Sequence, residues 1–256
     1  MAKRTILTVV VAAAIFLLGM WAGQSGVMRS TLSGGGNNAS STESSFPLTV
    51  VAIHDASNPL YTVSAEYPQF PETSDDFNGA IKAFVDTHLA TFRSNAEENW
   101  TARQATRPSG TPPATPSQDF YFNVSWEQAQ LNPRYISIIV RKDSYEGGAN
   151  ESQDIATFNY DVAKHASIAL ADLFPRTPDY LTTLSEASRE QLAGTLEMMM
   201  PGHVPTDMIN EGTAPTLDNF KNFTFTDDVI TVYFPKYQVA PGVAGEQRVM
   251  IGRAGL

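Results

Sequence analysis

The chain has 256 residues, 27 acidic against 17 basic, for a net charge of −10, and no cysteine. That length allows one large or two small domains with a real core, and the acidic balance argues against a nucleic-acid partner, which needs a basic footprint. The lack of cysteine removes disulfides, thiolate metal sites, cysteine nucleophiles and a lipidated N-terminal cysteine.

Lys3 and Arg4 precede an uncharged run of 18 residues, Thr5 to Ala22. As a helix this run spans about 27 Å, close to the roughly 30 Å of a bilayer core. Trp21 fits a membrane interface, and the two cations should stay inside. Gly23-Gln24-Ser25 is a weak substitute for a cleavage site. Residues 1–23 are therefore expected to be an uncleaved membrane anchor, with secretion after signal cleavage as the alternative. Setting Lys3 and Arg4 aside leaves 15 basic residues against 27 acidic, a net of −12 outside. Residues 24–46 are rich in Gly, Ser, Asn and Thr and read as a flexible tether.

A β-branched run follows from Leu48 to Ile53. Tyr61, Val63, Ala65 and Tyr67 then alternate as in a half-buried strand, stopped by Pro68 and Pro71. Phe77, Ile81, Phe84, Val85, His88 and Phe92 make one helical stripe. Ser74 is its expected N-cap, with Asp75 and Asp76 at the positive end of the dipole. His88 has no second His or carboxylate at i±4 and reads as a packing residue. The stretch from Arg107 to Ser117, with four prolines, reads as an exposed connector. Phe120, Phe122, Val124 and Trp126 alternate, Tyr135 to Arg141 is strongly apolar, and Asn132-Pro133 marks the turn between them.

Beyond Gly147 and Gly148, Ile155 to Asp161 reads as a strand. Thr177-Pro178 is the expected helix start, with Thr177 as N-cap. Leu181, Leu184, Ser188, Leu192 and Leu196 form its stripe, and Pro201-Gly202 ends it. Two alternating segments flank Asp227-Asp228 as a hairpin, and Gln247 to Ile251 is a last strand. The expected class is α+β, with two consecutive antiparallel-sheet halves, ββαββ then βαββ, and one helix packed on each. The first half covers residues 47–146 and the second 147–256, with Gly147 and Gly148 as the hinge between them.

Three groups of residues carry a family resemblance. The first is Tyr145-Glu146-Gly147-Gly148-Ala149, then Phe158-Asn159-Tyr160-Asp161, then Leu170-Ala171-Asp172-Leu173-Phe174. The second runs from Asn219-Phe220 through Tyr233-Phe234 and Tyr237-Gln238-Val239-Ala240-Pro241 to Gly245 and Val249-Met250-Ile251. The third is Tyr67-Pro68-Gln69. In order and spacing these resemble the PdaC-type extracytoplasmic domain pair. That module adjoins a peptidoglycan deacetylase domain and forms the outer domain of a lysozyme-sensing anti-sigma factor. The resemblance implies a bacterial, extracytoplasmic module. Family members often have His after the Gly-Gly-Ala, where this chain has Asn150, and an aromatic after the last loop's Pro, where it has Gly242.

Only Met1 to Arg4 would remain inside, too short for a sigma-factor-binding domain. The four histidines are scattered without metal spacing, and no serine-enzyme motif stands where a strand turns into a helix. No catalytic, cofactor or metal residue is therefore assigned. The expected ligand-binding residues are Tyr145, Glu146, Asn150, Tyr237 and Gln238. The expected function is non-catalytic binding of peptidoglycan or a basic, lysozyme-like wall-acting protein, with residues 5–22 in the membrane. Two other classes stay open, a wall hydrolase or esterase with dispersed carboxylates and a structural spacer.

Overall fold

A computed structural model describes residues 46–253. The expected anchor and all of the tether except Phe46 lie outside the described residues. Phe46 itself is buried against Phe70.

Two sheets divide the chain. The first has six strands in sequence order: β1 (Thr49–Asp55), β2 (Tyr61–Gln69), β3 (Phe120–Leu131), β4 (Tyr135–Tyr145), β5 (Ser152–Asp161) and β6 (Ala166–Ser167). The second has three: β7 (Phe223–Phe225), β8 (Val229–Phe234) and β9 (Gln247–Gly252). All pairs are antiparallel except β2 with β3, which run parallel from Tyr61↔Phe120 to Ala65↔Val124. The reason is the connection between them. The helix α1 (Asp75–Ala105) is long enough to carry the chain back to its starting end, as a parallel crossover requires.

Helix α1 follows its sequence pattern. Ser74 Oγ accepts from Phe77 N at 3.2 Å, and Asp75 and Asp76 occupy the first turn. Phe77, Ile81, Val85, Leu89, Phe92 and Ala96 are buried along one stripe, and they pack on Val63, Ala65, Phe122, Val124, Ile138 and Val140 of the sheet. Each large side chain so buried contributes about 1.5–3 kcal/mol. Tyr160 OH accepts from Ser74 N at 3.0 Å, tying β5 to the start of the helix.

The strand partition differs from the expected one. The strand that was expected to open a second half is β5, and it pairs with β4 from Ser144↔Ser152 to Tyr135↔Asp161. The glycine segment is therefore a hairpin loop inside the first sheet, not a hinge. The sheets divide after β6 instead. A polar loop between two long alternating strands closes a hairpin as readily as it separates domains, and only the register distinguishes the two.

On the second sheet lie α2 (Tyr180–Met199) and a short helix, α3 (Thr206–Gly212), that the sequence pattern did not suggest. Helix α2 starts later than expected. Tyr180 N bonds to Thr177 O in a single turn, and Asp179 O is the first carbonyl to accept from the helix, from Thr182 N and Thr183 N. Asp172 Oδ2 accepts from Ala169 N at 2.8 Å in the turn before Phe174.

Ser185 and Ser188 lie on the buried side of α2, and among the described residues neither hydroxyl has a hydrogen-bond partner. A buried, unpaired hydroxyl costs stability, and alanine is the better helix former. Ser188→Ala is therefore expected to stabilise the protein by about 1 kcal/mol. Thermal unfolding should show a rise of a few degrees, and a fall instead would reveal a hidden partner for the hydroxyl.

Both edges of the three-stranded sheet are closed by side chains. At β9, Gln191 Nε2 donates to Met250 O (2.9 Å) and Gln191 Oε1 accepts from Met250 N (3.2 Å). At β7, the closing groups come from the first sheet. Ser137 Oγ accepts from Phe225 N (2.8 Å) and donates to Asn159 Oδ1 (2.7 Å). Asn159 Nδ2 donates to Phe223 O (2.8 Å), and Thr157 Oγ1 accepts from Phe223 N (3.0 Å). An open strand edge invites pairing with another chain. Here the same bonds that block it dock the two sheets together.

Candidate functional site: a crevice at the seam of the two sheets

The register places Ser137, Ile139, Arg141 and Asp143 of β4 on one face with Asn159, Thr157, Ile155 and Gln153 of β5. This is the face turned away from α1. The β7 edge covers its Ser137–Asn159 end. Where that cover stops, a crevice of about 270 Å³ opens. Residues 141–143 and 153–155 line it from the first sheet, and Pro235, Lys236, Gly245 and Glu246 from the second.

Arg141 is the fixed charge of this crevice. Its Nε and Nη2 donate to Glu246 Oε2 and Oε1, both at 3.0 Å, in a two-pronged bond across the seam. Its Nη1 lies 3.1 Å from Glu127 Oε2. Burial works against the guanidinium charge, but the Glu246 bond and the two carboxylate charges outweigh it and raise its pKa above the ordinary value. Such a planar fork on a carboxylate also fixes orientation. Gln153 Nε2 donates to Asp143 Oδ1 at 2.8 Å.

Beside it Lys142 is buried, with Nζ 2.9 Å from Ser152 Oγ and 3.0 Å from Asp154 Oδ2. His88 Nε2 lies 3.7 Å from the same Asp154 oxygen, and its Nδ1 lies 2.7 Å from Phe84 O. The group is built to hold the strand pair under α1. The partner of His88 is not visible in the spacing of its own helix because Asp154 comes from a distant strand. Among the described residues no group of three or more His, Cys, Asp or Glu is placed to hold a metal.

The five expected ligand residues fall in two places, and none of them lines the crevice. Tyr145 ends β4, half-buried, with its ring 6.2 Å from Phe120 and 6.3 Å from Tyr121. Glu146 is held against α1, its carboxylate accepting from Asn95 Nδ2 (2.9 Å) and Ser144 Oγ (3.2 Å) and its carbonyl from Asn99 Nδ2 (2.8 Å). Asn150 is exposed in the β4–β5 loop. Gln238 Nε2 bonds to Gly212 O (2.8 Å) and Asn219 O (3.1 Å), so it fastens loops.

Tyr237 is exposed, beside the Lys236 cation and in left-handed backbone with φ 74°, a strained setting for a bulky residue. A Cβ at Gly242 would lie 2.3 Å from its ring. Tyr237 thus occupies the space that a side chain at position 242 would need. Among the lining residues, Asp143 lies between buried Lys142 and Ser144, Gln153 lies in the exposed start of β5 and Lys236 follows β8, and nothing in their spacing distinguishes them from solvated surface.

Tyr121 lies on the same open face. Burial, a hydrogen bond to Glu151, and the charges of Glu151 and Asp143 push its phenol up to about 12. Tyr67 and Tyr233 are also raised, chiefly by burial. Because the folded pKa lies above the unfolded value, Tyr121 stabilises the fold fully below about pH 10. That contribution is lost as pH rises from there through about 12. Phenolate absorbance during alkaline titration should show a lagging class, and Tyr121→Phe should remove one member of it. A single transition for all tyrosines would contradict this.

Comparison with known proteins gives the following. A family model described as deacetylase PdaC matches residues 55–152, and one described as a protein of unknown function, DUF3298, matches residues 171–254. Peptidoglycan-N-acetylmuramic acid deacetylase PdaC of Bacillus subtilis (strain 168) is 27% identical over 198 residues, which is 76% of this chain but 38% of that protein. The chain thus spans well under half of that relative's length. A DUF3298 family crystal structure from Bacteroides fragilis superposes with a TM-score of 0.54 at 18% identity, covering 81% of this chain and 90% of that one. A DUF3298 family protein from Pseudomonas aeruginosa PAO1 gives a TM-score of 0.49 at 13% identity, covering 82% and 91%.

Proposed function

We propose that this chain, which belongs to the PdaC-type family as a PdaC domain joined to a DUF3298 domain, is a non-catalytic, extracytoplasmic binding module of the cell envelope. Residues 5–22 tether it to the membrane with the N-terminus inside. Its ligand is peptidoglycan or a basic wall-acting protein of the lysozyme kind. The observation that carries this reading is the crevice at the seam. It is lined from both sheets, with the mutually bonded Asp143–Gln153 pair on one wall, where their remaining lone pairs and N–H face out, and Lys236 on the other. That arrangement suits a polar polymer or a polar protein edge. The net charge of −10 favours a basic protein through long-range attraction.

A hydrolase or esterase reading would draw on Asp143, Asp154 and Glu246, the carboxylates of the crevice. Each is already engaged, with Gln153, Lys142 and Arg141 respectively. Co-sedimentation of the full chain in mild detergent with purified wall sacculi, and capture on immobilised lysozyme, test the binding reading. Retention on one of them without release of soluble wall fragments is expected, and lysozyme capture should weaken as salt screens the charges. Retention on neither at micromolar concentration would overturn it.

A further inference from the structure

The charges that line the seam crevice do not all cancel against one another. Arg141 is held by Glu246 and Glu127, and Lys142 by Asp154. Two charges are left over, one on each wall. On the first sheet, Asp143 accepts through Oδ1 from the neutral amide of Gln153 at 2.8 Å. Among the described residues nothing donates to its Oδ2, and no cation pairs with it. On the second sheet, Lys236 is half-buried, and its Nζ lies 5.4 Å from the centre of the Tyr237 ring. Among the described residues no carboxylate pairs with it, Asp143 included. A partly desolvated charge without a counter-charge is costly, and here one anion and one cation face a common gap. Ile155 and Pro235 add apolar surface to the same space. Its volume, about 270 Å³, falls just below the roughly 300–1,000 Å³ of sites for drug-sized molecules, so it suits a small head group.

We infer that the crevice is a receptor for a free α-amino acid group, one that carries an ammonium and a carboxylate on the same carbon. The ammonium donates to Asp143 Oδ2, and the carboxylate accepts from Lys236 Nζ, which gives each left-over charge its partner. The methylenes of the ligand lie against Ile155 and Pro235. A neutral sugar would leave both charges unmatched, so the part of the wall polymer that enters is an amino acid end of its peptides and not the glycan. The inference rests on the reading of this crevice as the binding surface and names what fills it.

The test is a nuclear magnetic resonance titration of the full chain in mild detergent, read at the backbone amides of Asp143 and Lys236. Three probes of similar chain are compared. Diaminopimelate carries ammonium and carboxylate together, cadaverine the ammonium alone and pimelate the carboxylate alone. Diaminopimelate should shift both amides with a dissociation constant of about 1 mM, the scale for a ligand of its size. The other two should bind about tenfold more weakly, the effect of losing one charge-assisted pair. Lys236→Gln should bring diaminopimelate down to the affinity of cadaverine, and Asp143→Asn to that of pimelate. Damage to the fold would not produce that reciprocal pattern. Equal affinity for the three probes, no shift with diaminopimelate up to about 20 mM, or undiminished binding to both variants would each overturn the inference. Co-sedimentation with sacculi separates it from the wider reading. Retention that persists under saturating diaminopimelate would overturn the inference and leave wall binding standing. A chain that binds diaminopimelate but is retained on neither sacculi nor lysozyme would bear the inference out and overturn the wider reading.

Discussion

Replacing Asn159 with leucine is expected to lower stability by about 3 kcal/mol, with a fall in melting temperature of roughly 10 °C. Asn159 is buried, and its amide joins two strands that have no ladder between them. Nδ2 satisfies Phe223 O, and Oδ1 holds the Ser137 hydroxyl that in turn accepts from Phe225 N. Leucine of similar volume would leave Phe223 O without a donor and free Ser137 to turn away from Phe225 N. Buried polar groups left unpaired cost about 1–3 kcal/mol each, and the two losses are coupled through one network. Chemical denaturation should show the loss in the midpoint, together with a seam that opens before the core unfolds. A change below about 1 kcal/mol would mean that the docking rests elsewhere.

Gly212→Ala is expected to cost about 3 kcal/mol or more, a magnitude typical of forced overpacking. Gly212 ends α3 with ordinary backbone angles, so its role is close approach. An added Cβ would lie 2.2 Å from Gln238 O and 2.8 Å from Val239 Cγ1. The first of these is backbone, and it cannot move aside freely. Gln238 Nε2 ties the same loop to Gly212 O and Asn219 O, and Val239 is fully buried. The change should therefore loosen the loop that carries Tyr237 as well as destabilise the domain. Thermal unfolding and proteolysis within residues 235–246 check it. A stability within about 0.5 kcal/mol of the parent would refute the close-packing account.

Much of the first domain was legible in the sequence because its signals are local. The helix stripe from Phe77 to Phe92, the Ser74 cap and the Asn132-Pro133 turn each depend on residues within a few positions. The turn forms with Asn132 Oδ1 accepting from Arg134 N and Tyr135 N. The parallel β2–β3 pair was not legible, since direction depends on where α1 delivers the chain. Nor was the place of β5, because a Gly-Gly loop reads the same in a hairpin and a hinge. Gly147 has φ 90°, and a Cβ there would strike Phe120 at 2.7 Å, so the glycine serves the hairpin's seal over the core.

The proposed site was less legible still. The residues that carry the family resemblance, among them Asn159, Tyr160 and Gln238, are docking and capping groups. The crevice wall, by contrast, is built of Asp143, Gln153, Lys236 and Glu246, ordinary surface residues whose meaning comes only from the two sheets meeting there. Arg141 and Glu246 are 105 positions apart, and no periodicity joins them.

The central claim is that the crevice between the sheets is the binding surface. It is tested most directly by the affinity of the full chain for wall sacculi and for lysozyme, the ligands proposed above, when Asp143 and Gln153 are both changed to alanine. The two side chains bond to each other, so removing both leaves neither unpaired and the fold intact. The predicted result is a drop in affinity of about tenfold or more at unchanged melting temperature, as the loss of central polar contacts gives. Unchanged affinity in that variant would contradict the claim.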